Sequence, residues 1–141
     1  LKGVRAAIKE NTDKKIDYRE IIAGKTGSEY GKQIESLLKK KIHINKKNKT
    51  VLVVSWVNVA YSILSEAARI NLKIPEEIGV ISLAGSFYAN LSYPRLSTSD
   101  LPLYKLGFNS GELLMDNIKY NERIVSESIS CKLNIRESTK G

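Results

Sequence analysis

The chain has 141 residues, 42% of them hydrophobic, enough for one domain with a buried core. Its 23 basic and 15 acidic side chains leave a net charge of +8, yet no apolar run could span a membrane and no secretory signal pattern is present. One cysteine, Cys131, excludes an internal disulfide framework and fits a reducing compartment.

The chain opens on Leu1 in mid-helix pattern, which suggests a fragment of a longer protein. "GVRAAIKE" places Val4, Ala7 and Ile8 on one helical face before "NTDKK" breaks it. "IDYREIIAG" reads as a strand ending at Gly24. "KTGSEYGKQIESLLKKK" is the next helix, capped by Ser28 and carrying Tyr30, Ile34, Leu37 and Leu38 on its apolar face. The basic run Lys39–Lys49 follows; a row of lysines can track phosphates, but without interleaved aromatics it reads as a solvated loop. His43 within it has no Cys, Asp or Glu at metal-ligand spacing, so neither a metal nor any other cofactor is expected.

"TVLVVS" is a continuous β-branched run, the pattern of a strand covered on both faces. The helix "VNVAYSILSEAARINL" turns Ala60, Ile63, Leu64 and Ala67 inward and stops at Asn71. Pro75 and the Glu76-Glu77 turn lead into a strand "IGVISLA". The order βαβαβ with short connections indicates an α/β fold with a parallel sheet flanked by helices.

After Ala84 the pattern changes. Phe87, Tyr88, Leu91 and Tyr93 are more apolar than a loop requires, so they either form an interface or tuck under the sheet edge. "RLSTSD" is a short strand or hinge. "LPLYKLGFNSGELLMDNIK" is an amphipathic helix with Leu103, Leu106, Leu113, Leu114 and Ile118 in phase. A last strand near Ile124–Ile135 holds Cys131 as a small core residue and runs into "RESTKG".

Catalytic signatures are missing: no Gly-x-Gly-x-x-Gly, no Gly-x-x-x-x-Gly-Lys-Ser/Thr, no Gly-x-Ser-x-Gly, and one Cys far from the one His. The chain is therefore not read as an enzyme, and no catalytic residue is assigned.

Two stretches, "NLKIPEEIGVISLAG…YPRLSTSD…LYKLGFNSGELL" and "LNIRESTKG", resemble the lactose-repressor (LacI/GalR) family of bacterial transcription regulators. "LKGVRAAIKE" and "GSEYGKQIESLL" are similar to earlier helices of that family, so the resemblance runs the length of the chain. It implies a periplasmic-binding-protein-like type I body of two lobes joined by three crossovers. Residues 1–98 would be the C-terminal lobe, 99–123 a crossover and helix of the other lobe, and 124–141 the return strand and tail. Crossovers near Arg95–Asp100 and Tyr120–Val125 would absorb a hinge rotation. The resemblance also implies a cytoplasmic homodimer, a small-molecule effector in the cleft, and operator DNA bound through an N-terminal helix-turn-helix that this chain does not contain.

Residue by residue, the resemblance places effector-binding positions at Val53, Trp56, Val57 and Ala84. The family's usual Asn-Asp pair falls on Trp56 and Val57, and its second ligand-facing Asp on Ala84. Three readings stay open: a less polar or aromatic effector stacking on Trp56, a decayed site, or a displaced register in which Asn58 is the polar residue. Trp56 as a core-packing aromatic is a fourth possibility for that residue. The dimer contact would use Tyr61, Phe87, Tyr88 and Leu91. A transporter's solute-binding protein shares the fold class, and a domain acting only in dimerisation is the other alternative.

Overall fold

The computed structural model describes residues 2–11, 16–20, 29–41, 50–85, 87–120 and 128–140. These fall into two compact units, Leu1–His43 and Ile44–Gly141.

In the first unit, α1 spans Lys2–Glu10, and Asn11 closes it by donating both its backbone N–H (3.2 Å) and its side-chain amide (2.8 Å) to the Ala7 carbonyl. The second helix, α2, covers Glu29–Ser36 and passes into a wider π-helical turn, Leu37–Lys41. Ile34 and Leu38 are buried four residues apart, the spacing that puts two side chains on one helical face. The expected strand does not form over residues 16–20, which are irregular. A strand gains its hydrogen bonds only from a neighbour, and among the described residues none pairs with this segment. Ser28, His43 and most of the basic run lie outside the described residues.

The second unit holds a four-stranded sheet in the order β1 (Thr50–Val54), β2 (Ile78–Ser82), β3 (Ser97–Asp100), β4 (Lys132–Asn134). The first three strands run parallel, Thr50 pairing Ile78 and Ile81 pairing Ser97. Only β4 runs antiparallel, Lys132 opposite Asp100. The sheet is thus mainly parallel rather than wholly so.

Between β1 and β2 runs α3, Val57–Arg69. Its buried residues are Ala60, Ile63, Leu64 and Ala67, the face its sequence periodicity marks. The helix ends where Asn71 takes φ 56°, a left-handed conformation Asn tolerates better than most residues. Leu72 N–H then reaches the Ala67 carbonyl (2.8 Å) and Asn71 N–H the Ala68 carbonyl (3.2 Å), the two bonds of a Schellman stop. Glu77 serves the following turn, its carboxylate accepting from the Lys73 N–H at 2.8 Å.

Strand β2 is the centre of the core: Ile78, Val80 and Ser82 are fully buried. Strand β1 departs from the expected two-sided burial, since it edges the described sheet and Val51 and Val53 are exposed on one face.

The chain's end builds the core as well. Ser138 is fully buried beside the start of β3. Its carbonyl accepts the Val80 N–H (2.8 Å), its hydroxyl donates to the Val80 carbonyl (2.6 Å), and that hydroxyl accepts the Ser97 N–H (2.8 Å). The tail therefore acts as the missing partner of β2 just before the β2–β3 ladder begins. Arg95 adds a second fastening, its guanidinium and backbone N–H all bonded to the Glu137 carboxylate.

Two further expectations change. The last strand is three residues long instead of reaching back to 124; residues 128–131 are irregular and 124–127 lie outside the described residues. Cys131 is exposed rather than buried, because it precedes a short edge strand whose own Lys132 and Leu133 are uncovered. The long helix α4, Leu103–Tyr120, forms as the sequence predicts, but none of its eighteen residues is buried. Leu103, Leu106, Leu114 and Ile118 stand exposed along it, joined by Tyr104, Phe108 and Met115.

Candidate functional site

In an open parallel sheet, ligands bind beyond the carboxyl ends of the strands, where loops diverge and backbone groups lack ladder partners. Here that edge belongs to β1, β2 and β3. Pairing runs from Thr50↔Ile78 to Val54↔Ser82 and continues from Ser82 to Thr98. Trp56 lies two residues beyond Val54 and Ala84 two beyond Ser82, while Asp100 closes β3. The Leu83 N–H still reaches the Val54 carbonyl at 2.8 Å, so pairing persists past the last regular residue of β2.

Trp56 occupies the N-cap of α3 in extended conformation, φ −124° and ψ 137°. An indole cannot cap a helix, and no side-chain cap bond is made there, so the position gives up the stabilisation that Ser, Thr, Asn or Asp would bring. Its side chain is 69% exposed, which removes the core-packing role. Val57 is half-buried in the first helical turn. Asn58, the alternative polar residue, turns its side-chain oxygen onto the neighbouring Val59 N–H at 3.0 Å.

Ala84 is half-buried, and its backbone is spoken for by Ser82: the Ser82 hydroxyl donates to the Ala84 carbonyl (2.8 Å) and accepts the Ala84 N–H (3.2 Å). Val53 lies within β1 opposite Ile81. The structure therefore brings Trp56, Val57 and Ala84 to one end of the sheet and leaves Val53 inside its strand.

The carboxylate at this edge comes from a residue the sequence pattern did not single out. Asp100 ends β3; its Oδ1 accepts the Thr98 hydroxyl at 2.6 Å and its Oδ2 accepts the Asn134 side-chain amide. Arg136 stands 3.8 Å from the same Oδ2. That guanidinium is held in turn by the Leu96 carbonyl, the Thr98 hydroxyl and the Asn90 side-chain oxygen, each at 2.7 Å. The backbone of Gly85 passes directly against the Asp100 carboxylate, where a Cβ would collide with it. The signal that could have found Asp100 was positional: an acidic residue closing a strand run just before Pro102.

Of the expected interface residues, Phe87, Tyr88 and Leu91 are exposed, as is Tyr93, so these aromatics do not tuck under the sheet. Phe87 and Tyr88 meet edge to face at 5.7 Å. Their turn is anchored by buried Ala89 and by the Arg136–Asn90 bond. Tyr61 is half-buried on α3, and its hydroxyl is shut off from solvent without a hydrogen-bond partner. Among the described residues no three His, Cys, Asp or Glu side chains gather as a metal site.

The periplasmic binding protein-like domain model matches residues 2–139. The chain belongs to that family. Its relatives there are transcription regulators, as "YPRLSTSD" and "LNIRESTKG" imply. This periplasmic binding protein-like domain is 32% identical over 85 residues to the NTD biosynthesis operon regulator NtdR of Bacillus subtilis strain 168, a match covering 57% of the chain and 25% of that protein. It is similar to the transcription regulator CcpA of Lactococcus lactis, with 28% identity, a TM-score of 0.74, and coverage of 98% of this chain and 49% of that one. A PurR family regulator from Vibrio parahaemolyticus RIMD 2210633 gives 28% identity and a TM-score of 0.65 over 83% of this chain and 41% of that one. A LacI family regulator from Arthrobacter sp. FB24, in complex with lactose, shares the fold at 22% identity and a TM-score of 0.78, covering 99% and 50%. The periplasmic binding protein-like domain described here thus spans from a quarter to about half the length of these proteins. It has the fold of a regulator's effector-binding domain.

Proposed function

We propose that this chain is the C-terminal half of the effector-sensing domain of a bacterial transcription regulator, a repressor acting in the cytoplasm by binding rather than catalysis. Residues 1–98 would form one lobe, 99–123 a crossover and a helix of the other lobe, and 124–141 the return strand and tail. Two observations support the division: the chain aligns along nearly its whole length with half of its structural neighbours, and α4 carries an apolar stripe with no buried residue. An exposed stripe of that size calls for a covering partner.

The observation that supports the functional reading is a fold shared with transcription regulators. Trp56, Val57 and Ala84 follow the carboxyl ends of β1 and β2, the edge where parallel sheets bind ligands, and would line the effector site. The Arthrobacter neighbour binds lactose; here hydrophobic side chains at 56, 57 and 84 favour a less polar effector, or one with an apolar face. The exposed group Phe87, Tyr88 and Leu91, with Tyr61, would form the homodimer contact. Operator DNA would be bound by a helix-turn-helix outside this chain, and no described helix is long and apolar enough to cross a membrane.

The mechanism is a two-state switch. An effector that binds one relative placement of the lobes better than the other shifts their equilibrium, and with it the DNA-binding heads, only by its difference in affinity. The test is operator affinity of the complete protein with and without compounds that bind the domain. A change of about 5- to 150-fold is expected, the usual span of allosteric coupling. A cleft-bound compound that leaves operator affinity unchanged defeats the switch.

A further inference from the structure

We propose that Asp100 is the pin of this chain's switch: its carboxylate fastens the outgoing and the returning crossover into one stem and so limits how far the lobes turn. This rests on the two-lobe reading above and adds to it a positioning residue that need touch no effector.

Strand β3 leads into α4 and β4 brings the chain back, so under that reading both are passages between the lobes. Their ladder is short: Thr98, Ser99 and Asp100 pair with Asn134, Leu133 and Lys132. A ladder of three pairs on an outer strand opens locally at little cost. Side chains supply what it lacks. Asp100 Oδ1 accepts the Thr98 hydroxyl at 2.6 Å, Oδ2 accepts the Asn134 side-chain amide, and the Arg136 guanidinium stands 3.8 Å from Oδ2. One carboxylate of the outgoing strand thus meets two residues of the returning segment.

Arg136 ties the same segments from the other side. Its guanidinium donates to the Leu96 carbonyl and the Thr98 hydroxyl at 2.7 Å each, and its backbone N–H to the Ser97 hydroxyl at 2.8 Å. Its side chain is only 16% exposed, so solvent screens its charge less than at an open surface. The Gly85 backbone lies against the Asp100 carboxylate so closely that a Cβ has no place there. The pin is therefore bonded towards β4 and abutted by the chain that leaves β2.

The consequence is mechanical. A turn absorbed within Arg95–Asp100, as the resemblance implies, would have to break bonds to a charged group, which are stronger than neutral ones. Leu101, Pro102 and residues 128–131 lie just past the last ladder pair and belong to no helix or strand. Rotation costs least there, and the stem moves with this lobe as one body. The strength of the pin then sets the stiffness of the switch.

The test needs no effector. Spin labels are placed in the complete protein at Glu76→Cys and Lys119→Cys, both exposed, with every native cysteine, Cys131 included, changed to Ser. Pulsed electron spin resonance reads the distance distribution between this lobe and the end of α4. Asp100→Ala should broaden it. Asn134→Ala deletes the same bond from the returning strand and should broaden it alike, which keeps the test open if Asp100→Ala fails to fold. Hydrogen exchange of β3 and β4 amides should quicken about tenfold in both, the scale of one charge-assisted hydrogen bond, while β1 and β2 amides keep their rates. Ile63→Val, in the buried face of α3, lowers stability without touching the stem and should leave the distribution narrow. Equal broadening in Ile63→Val, or widths and exchange unchanged in Asp100→Ala and Asn134→Ala, overturns the proposal. Unchanged widths with effector-driven operator release intact refute the pin alone and leave the two-lobe reading standing.

Discussion

Ser138 donates its hydroxyl to the Val80 carbonyl at 2.6 Å across 58 residues of sequence, joining the chain's end to the middle of its central strand. The same oxygen accepts the Ser97 N–H, and both residues it serves are fully buried. Ser138→Ala leaves a buried donor and a buried acceptor without partners. The expected loss is about 2–6 kcal/mol, from one to three for each orphaned group. Chemical denaturation of the complete protein, with its midpoint shifted and its slope unchanged, checks it.

Gly85 and Asp100 form a second dependent pair. Gly85→Ala drives a methyl group into the Asp100 carboxylate and should destabilise by roughly 1–3 kcal/mol, the usual range for overpacking. Asp100→Gly in the same chain removes the obstacle. The double variant should then be more stable than the sum of the single changes indicates, a coupling that a double-mutant cycle measures directly. Additive effects would show that the two residues do not meet.

The stripe on α4 tests the division of the chain. Leu114 and Ile118 sit one helical turn apart and exposed. If another lobe covers them, Leu114→Asp in the complete protein should cost about 2–4 kcal/mol through an uncompensated buried charge. A change within about 0.5 kcal/mol, the figure for ordinary surface positions, would show the stripe open to water.

For the dimer contact, the most exposed apolar side chain of the turn is the place to intervene. Phe87, at 82% exposure, contributes nothing to the fold's interior. Phe87→Asp should therefore spare thermal stability of the protomer while weakening self-association about 30-fold, the effect of a hot-spot loss near 2 kcal/mol. Sedimentation equilibrium reads the outcome; unchanged association removes this turn from the interface.

Acid should loosen the Arg95–Glu137 fastening. The Arg95 side chain, and then its backbone N–H, bond the Glu137 carboxylate and hold it below the usual carboxylate range. A depressed folded value means that the contribution is present above the unfolded carboxylate value of about 4.3 and is lost as pH falls through the folded one. Melting temperatures of the protein and of Glu137→Gln should differ near neutrality and converge in acid. Parallel curves at every pH would show that the pair adds nothing.

What local physics controls was legible in the sequence. The inward face Ala60, Ile63, Leu64 and Ala67 follows from a period of 3.6 residues, and the stop at Asn71 from the tolerance of that side chain for left-handed backbone. The family was legible too, because its motifs are short and in order. Burial was not: Cys131 and Val51 have core composition, yet a side chain is covered only if another element arrives above it. The candidate site shows the same division. Trp56 and Ala84 could be named one at a time, whereas the meeting of Gly85 with the Asp100 carboxylate exists only once β2 and β3 are laid side by side, since strand pairing joins residues far apart in the chain. Sequence determined the elements and their kinship; tertiary structure alone decided which residues meet, because burial and strand pairing depend on elements far apart in the chain.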